Sequence, residues 1–320
     1  MTIPTSLQAA IPGLQRFSHQ AMATIFEIIL PPEIDAPYAA QAAQEVFAEI
    51  DRLEQALSRF IENSDISRIN RRAAQEAVTV GPDAFACLQE CWQLYHDTGG
   101  AFDVSAGHLL ACWHDAGNAI GTPDPAELAA AKALSGLDHL FLDGKKFTVW
   151  SDVALSLDLG GYGKGYALDR AAETLREWDI ECFLLHGGRS TVLAGTAPGH
   201  LEGWPVTLSH PRDPQQQLAR LALREMSLSG SGLQKGAHII DPRSGYPVTE
   251  RLAAWSLAPT GALSDALSTA WMIMTPEAID HYCRTHPTTG ALLLPDGSSD
   301  ISFSLQRYGF FNELHTDFTD

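Results

Sequence analysis

The sequence predicts an α+β protein with mixed or antiparallel sheets and packed helices. Three observations carry that expectation. Residues 38–60 repeat apolar side chains at helical spacing, with Val46, Phe47, Ile50, Leu53, Leu57 and Phe60 on one stripe. Residues 182–229 read as a run of short strands parted by turns. Strands and helices do not alternate strictly, as a doubly wound parallel sheet would require.

The totals narrow the function. The chain has 320 residues, 45% of them apolar, enough for one large domain or two lobes with a sizeable core. No repeat and no low-complexity linker divides it, so residues 1–320 are expected to form one domain. Acidic residues outnumber basic ones 39 to 21, for a net charge of -18. That field repels nucleic acid and attracts divalent cations, and it leaves room only for a local anion pocket. The first thirty residues lack a basic start, a continuous apolar stretch and a small-residue cleavage site. No window is long and apolar enough for a membrane span, so a cytoplasmic location is expected. Cys87, Cys91, Cys112, Cys182 and Cys283 are odd in number and form no CxxC, which favours free thiols over disulfides or zinc.

In chain order, a first strand is expected at 23–30 and the long helix at 38–60. Residues 58–70 are polar and rich in turn formers. A second amphipathic helix covers 83–98, with Phe85, Leu88, Trp92 and Tyr95 on one side. Residues 98–113 read as a loop, 124–134 as a helix, and 140–142, 147–150 and 154–159 as short strands. A helix at 164–178 buries Ala167, Ala171, Ala172, Leu175 and Trp178. Strands follow at 182–186, 191–194, 204–209, 217–223 and 226–229, then a turn region at 237–248. A strand at 253–258, a helix at 264–274 and strands at 291–294 and 301–305 finish the chain.

Several stretches carry chemistry. LDLGGYGKGYALDRA (157–171) places four glycines and Lys164 between an apolar run and a helix. Free N–H groups at a helix start, bare backbone and one cation make an anion site, most naturally for phosphate; a tight turn with a solvated lysine is the other reading. The spacing fits neither common phosphate-loop pattern. SDALSTAWMIM puts Asp265 and Thr269 four apart on one helical face. These are hard oxygen donors suited to Mg²⁺, or alternatively a helix cap and a back-bonding hydroxyl. HIIDP offers His238 as a general base beside Asp241, or as a structural histidine. LLHGGRS ends a strand in Gly187 and Gly188, which suits close approach to a flat ligand or a bulge. AFDVSAG offers Phe102 and Asp103 as ligand contacts, or an aspartate-capped turn.

Taken in order, these stretches resemble the ApbE-like family of FAD:protein FMN transferases. MAT at 22–24 is similar to the family's MGT, and LSRFIENSDISRIN to its Ser-aromatic-x-x-x-Ser-x-x-x-x-x-Asn stretch. GGAFDVSAGHLLACW resembles GxFDxTxGPLxxxW, and LDLGGYGKGYALDRAAETL resembles DLGGIAKGYAVDxAxxxL. LLHGGRS, GWPVTLSHP, HIIDPRSGYP and SDALSTAWMIM follow in family order. The resemblance implies two interlocked lobes with a ligand cleft between them. It implies Mg²⁺, FAD as substrate, and an acceptor flavoprotein whose Thr or Ser hydroxyl attacks the FMN-side phosphorus, releasing AMP. The metal ligands it implies are Gly163, Asp265 and Thr269. The catalytic group is His238, Asp241 and Lys164. The FAD contacts are Met22, Thr24, Phe60, Phe102, Asp103, Gly160, Gly161, Lys164, Gly187, Gly188 and His238. An FAD pyrophosphatase and a non-enzymatic FAD-binding or assembly protein are the alternatives.

The chain departs from the family pattern at several points. Gly163 stands for the usual alanine before the lysine, and Arg189 for an aspartate after the paired glycines. LSGSGLQKG lacks the aromatic of the TSGxY stretch, His108 replaces a proline, and Phe60 lacks a tyrosine hydroxyl. Many family members are exported lipoproteins; no export signal or lipid-attachment cysteine is seen here.

Overall fold

A computed structural model describes residues 11–113, 121–199, 201–233, 239–296 and 305–312. These residues fall into two compact units. One lies within Met1–Asp51, Lys164–Gln234 and Glu250–Asp320, the other within Arg52–Gly163 and Lys235–Thr249.

The first unit is built on an eight-stranded sheet. Its strands are β1 (Gln15–Ala21), β2 (Thr24–Leu30), β6 (Leu184–Gly187), β7 (Thr191–Ala194), β10 (Met226–Gly232), β11 (Arg251–Ala258), β12 (Gly290–Pro295) and β13 (Gln306–Gly309). They lie in the order β1-β2-β6-β7-β10-β11-β12-β13, and every pairing is antiparallel. A separate hairpin joins β8 (Trp204–His210) to β9 (Asp213–Leu223). Ile29, Leu184, Trp204, Leu221, Trp255 and Leu292 belong to the core that the sheet and the hairpin share. Helices α6 (Gly163–Glu177), α7 (Gly261–Ile273) and α8 (Pro276–Thr285) complete this unit, and α7 packs on β10 and β11.

The second unit holds α2 (Asp65–Asn70), α3 (Pro82–Asp97), α4 (Gly107–Trp113), α5 (Pro125–Ala133) and a small antiparallel sheet. That sheet contains β3 (Val78–Thr79), β4 (Leu140–Asp143) and β5 (Thr148–Ser151) in the order β3-β5-β4. Leu109, Trp113, Leu128 and Ile240 form a local core. The long helix α1 (Ala36–Leu57) begins in the first unit and ends in the second.

The α+β class is as expected, and most elements fall within a few residues of their sequence positions. The exceptions have physical causes. The strand expected at 154–159 does not form. The Asn70 side chain takes both backbone groups of Leu157, donating to its carbonyl at 2.9 Å and accepting from its N–H at 2.7 Å. Val104 and Gly107 engage Asp158 and Ser156, and the pairing stops at an isolated parallel bridge between Ala106 and Ser156. The loop expected at 98–113 ends in α4, because Leu109 and Trp113 bury against α5. The turn-rich stretch 58–70 contains α2, whose N-cap Ser64 accepts from Ser67 N–H. There serine and aspartate start a helix rather than break one. The expected strand at 301–305 falls mostly on 301–304, outside the described residues, and the last described strand is β13. Strand β1 and helix α8 were not expected. All five cysteines are free.

Candidate functional site

In the first unit the site is assembled around α7. Strand β10 carries Ser227, Ser229 and Ser231 at alternate positions, so their hydroxyls share one face. Ser227 and Ser229 both bond Ser264 at 2.7 Å. Ser231 bonds Ser268 at 2.8 Å and reaches Thr269 at 3.3 Å. This seam of hydroxyls fixes the rotation of α7 on the sheet. Asp265, 4% exposed, thereby presents its carboxylate to three donors: Lys164 Nζ at 3.3 Å, Gly165 N–H at 3.2 Å and the Thr191 hydroxyl at 3.3 Å. Thr269 sits one turn further along the same helix.

The start of α7 is held from α6. The Asp169 carboxylate accepts from Gly261 N–H at 2.6 Å and from Ala262 N–H at 2.8 Å, which adds a second cap to that of Thr260. The backbones of the two helices touch here. A Cβ on Gly165 would lie 2.0 Å from the Gly261 carbonyl oxygen, and one on Gly261 would lie 2.4 Å from the Gly165 oxygen. The glycine after the lysine therefore serves helix packing. Asp169, Thr191 and the serine seam escaped the sequence reading. The alternating serines at 227, 229 and 231 were a usable signal; the partner of Asp169 lies 92 residues away and was not.

The MAT and HGGR stretches meet in the same unit. Met22 and Ala23 form the two-residue turn between β1 and β2, both at positive φ, 49° and 55°. Thr24 packs on Gly188, whose φ is +69°; an added Cβ there would lie 2.3 Å from the Thr24 hydroxyl oxygen. Gly187 pairs with Phe26 on one side and Thr191 on the other, which links these residues to Asp265. His186 precedes them and is buried, with no hydrogen bond at Nε2. Burial pulls its pKa from 6.5 down to about 3, so the ring is neutral. Arg189 is exposed at the tip of this hairpin.

The second unit carries the other expected residues on turns. Asp158 accepts from Gly160 N–H at 2.9 Å and pairs with Arg59 at 3.0 Å, fixing the entry to the glycine run at Gly160 and Gly161. Phe60, expected on the buried stripe of the long helix, lies beyond its end at Leu57 and is 82% exposed, with the Arg59 guanidinium 4.5 Å from its ring centroid. Phe102 is buried. Asp103 accepts from Ser105 N–H at 2.8 Å and from its hydroxyl at 2.6 Å, the aspartate-capped turn that the sequence allowed. Burial raises its pKa above the ordinary carboxylate value. Asp241 caps its own turn, accepting from Arg243 N–H and Nε at 2.9 Å and from Nη2 at 3.0 Å. His238 lies outside the described residues. Gly163 is the first residue of α6 and is followed directly by Lys164.

Asp265 and Thr269 thus place two hard oxygen donors on one face of a sheet-braced helix, beside Lys164. The chain belongs to the ApbE family, whose model matches residues 22–293. It is 26% identical over 280 residues to the FAD:protein FMN transferase of Klebsiella pneumoniae strain 342, covering 82% of this chain and 80% of that protein. A Salmonella typhimurium protein of the same description is 25% identical over 305 residues, covering 90% and 86% of the two chains. Among solved structures, the Pseudomonas stutzeri flavinyl transferase ApbE in its apo form matches with a TM-score of 0.83 at 25% identity, over 94% of this chain and 96% of that one. The flavin transferase ApbE of Vibrio cholerae has the same fold, with a TM-score of 0.81 at 23% identity and coverage of 94% and 99%. Among the described residues, no helix is long and apolar enough to cross a membrane.

Proposed function

We propose that this chain is a transferase that moves FMN from FAD to a Thr or Ser hydroxyl of an acceptor flavoprotein, with Mg²⁺ bound and AMP released, and that residues 1–320 act as one functional domain. Family membership supports the flavin chemistry. The observation that carries the reading is the buried Asp265 carboxylate, met by Lys164, Gly165 and Thr191 and followed one turn later by Thr269.

The donor set fits a hard divalent cation: one carboxylate and one hydroxyl on a single helical face, with the Gly163 carbonyl as the third ligand that the family resemblance implies. Bound there, Mg²⁺ supplies charge neutralisation at the phosphates. Lys164 already pairs with Asp265 and is the residue that also meets the diphosphate. Thr191 holds the second carboxylate oxygen, so Asp265 keeps one orientation. Met22, Thr24, Gly187 and Gly188 offer backbone to a flat ring, and Phe60, Phe102, Asp103, Gly160 and Gly161 are the remaining FAD contacts in this reading. The acceptor hydroxyl forms a new P–O bond to the FMN phosphorus as the bond to the AMP oxygen breaks. His238 takes the hydroxyl proton, and Asp241 steadies the turn beside it.

The test combines the purified chain with FAD and Mg²⁺, with and without a Thr-containing flavoprotein domain as acceptor. Bound FAD, released AMP and acceptor mass are followed together. AMP release that needs the cation, with FMN mass gained by the acceptor, is the expected result. AMP with free FMN and an unmodified acceptor makes the chain a pyrophosphatase. Bound FAD without AMP in any mixture makes it a binding protein, and no FAD binding overturns the reading.

A further inference from the structure

The glycine run reads GGYGKG where the family run reads GGIAKG, so two adjacent positions differ together: Tyr162 and Gly163. Tyr162 is fully buried, and its hydroxyl donates to the Glu90 carboxylate of α3. Its ring lies 6.5 Å from that of Phe102. Burial, then Cys87, Cys91 and Glu90, hold the phenol far above its ordinary pKa, so it remains a donor at every working pH. Isoleucine in the same place has no atom for this bond.

Gly163 is not demanded by space. A Cβ there would meet only Leu159 Cβ, at 3.9 Å, and its φ is not in the left-handed region. Alanine fits, and glycine at a helix start leaves more backbone freedom to be lost, about 0.5–1 kcal/mol. The entry to this run is tied by Asp158 to Gly160 N–H and Arg59. At its exit, Tyr162 to Glu90 is the matching tie. The loosening change at 163 and the added hydroxyl at 162 are thus neighbours with opposite effects.

We propose that the Tyr162–Glu90 hydrogen bond is a positioning device for Gly163 and Lys164, which restores the backbone order that alanine would otherwise supply before the metal and the FAD diphosphate bind. Tyr162 and Glu90 touch neither ligand; they act through the two residues that follow. The inference rests on the reading of this site as one for Mg²⁺ and FAD.

The test measures Mg²⁺ affinity by calorimetry and FAD affinity by flavin fluorescence, beside denaturant unfolding. The set is wild type, Tyr162→Phe, Glu90→Gln, Gly163→Ala and Tyr162→Phe/Gly163→Ala. Tyr162→Phe keeps the ring, and Glu90→Gln alters an exposed residue without changing its shape. Tyr162→Phe is expected to weaken both ligands by about 3- to 10-fold, one hydrogen bond's worth, and Glu90→Gln, which keeps an acceptor oxygen but loses the charge, by about two- to threefold. In the Gly163→Ala background, Tyr162→Phe is expected to cost about twofold or less, a coupling between neighbours. Affinities unchanged while the unfolding midpoint drops would make the bond merely structural and overturn the proposal. An equal loss with alanine at 163 would overturn it as well, because the glycine would then be irrelevant. Wild-type protein that binds neither ligand overturns the parent reading; wild-type binding with indifferent variants overturns this inference alone.

Discussion

The two units hold their functional residues in different ways. In the first, Asp265 and Thr269 ride on a helix whose rotation is set by three serines of β10 and whose start touches the backbone of α6. In the second, Phe102, Asp103, Gly160 and Asp241 sit on turns, each kept by one or two bonds between a side chain and backbone. The first arrangement has little slack, and a single change meets fixed backbone or a buried charge. The second gives way by increments. In the proposed reading the side-chain cation donors Asp265 and Thr269 lie where slack is least, whereas the candidate FAD contacts are divided between the stiff unit, at Met22, Thr24, Gly187 and Gly188, and the turns of the other.

The sharpest test of that contrast is charge at the stiff side. Asp265→Asn keeps the shape and one acceptor oxygen, enough for Thr191 or for Gly165 but not for both, and removes the carboxylate charge. AMP release from FAD is expected to fall by about 10²- to 10³-fold with the fold intact. A loss below tenfold would mean that the helix-borne carboxylate is not the centre of the chemistry.

The next comparison is between one steric contact and one polar tie. Gly165→Ala sets a methyl 2.0 Å from a backbone oxygen that cannot swing aside. A cost of about 3 kcal/mol or more in denaturant unfolding is expected, the upper range of overpacking. Asn70→Ala frees both backbone groups of Leu157 in the other unit and is expected to cost about 2 kcal/mol, two ordinary hydrogen bonds. Equal costs would erase the difference in slack.

The parts of this design that were legible in the sequence follow local rules. The stripe on α1 has a 3.6-residue period, and Asp265 and Thr269 share a face because they are four apart. Strand 191–194 was read at its actual bounds because β-branched and apolar residues sit between Gly188 and Gly195. Residues whose role depends on distant partners were not legible. Gly165 looks like a phosphate-loop glycine until Gly261 arrives against it. Asn70 looks like a turn former until it meets Leu157, 87 residues away. Tyr162 looks like an apolar filler until Glu90 is beside it. Family order pointed to these residues, and packing explains why those residue types stand there.

A further effect should appear in acid, and in the stiff unit. His186 lies in the central sheet, with a pKa of about 3 when folded and about 6.5 when exposed. Its folded pKa is the lower one, so the unfolded chain takes the proton first. Stability from this group is complete above about 6.5 and falls as pH drops from there toward 3, by up to about 1.4 kcal/mol per pH unit. His186→Leu should flatten the pH dependence of the unfolding midpoint between 6 and 4 relative to wild type. An unchanged slope would show that the histidine is not the acid-sensitive point of this sheet.

The smallest expected effect is a gain, at a turn of the stiff unit that holds two non-glycine residues at positive φ. Met22 and Ala23 close the β1–β2 hairpin with φ of 49° and 55°, a turn that glycine and asparagine favour. The family's MGT has glycine where Ala23 stands. A left-handed alanine costs about 1 kcal/mol, partly offset by the greater unfolded freedom of glycine. Ala23→Gly should therefore raise the unfolding free energy by about 0.5–1 kcal/mol, read from denaturant midpoints at constant slope. Met22 and Thr24 flank Ala23 and are candidate FAD contacts, so FAD affinity in the same variant tells what the strain does. A more stable protein with unchanged FAD affinity makes the alanine a tolerated cost. A more stable protein with weaker FAD binding means that the strained turn holds Met22 and Thr24 in place, and that stiffness in this unit is kept for the ligand.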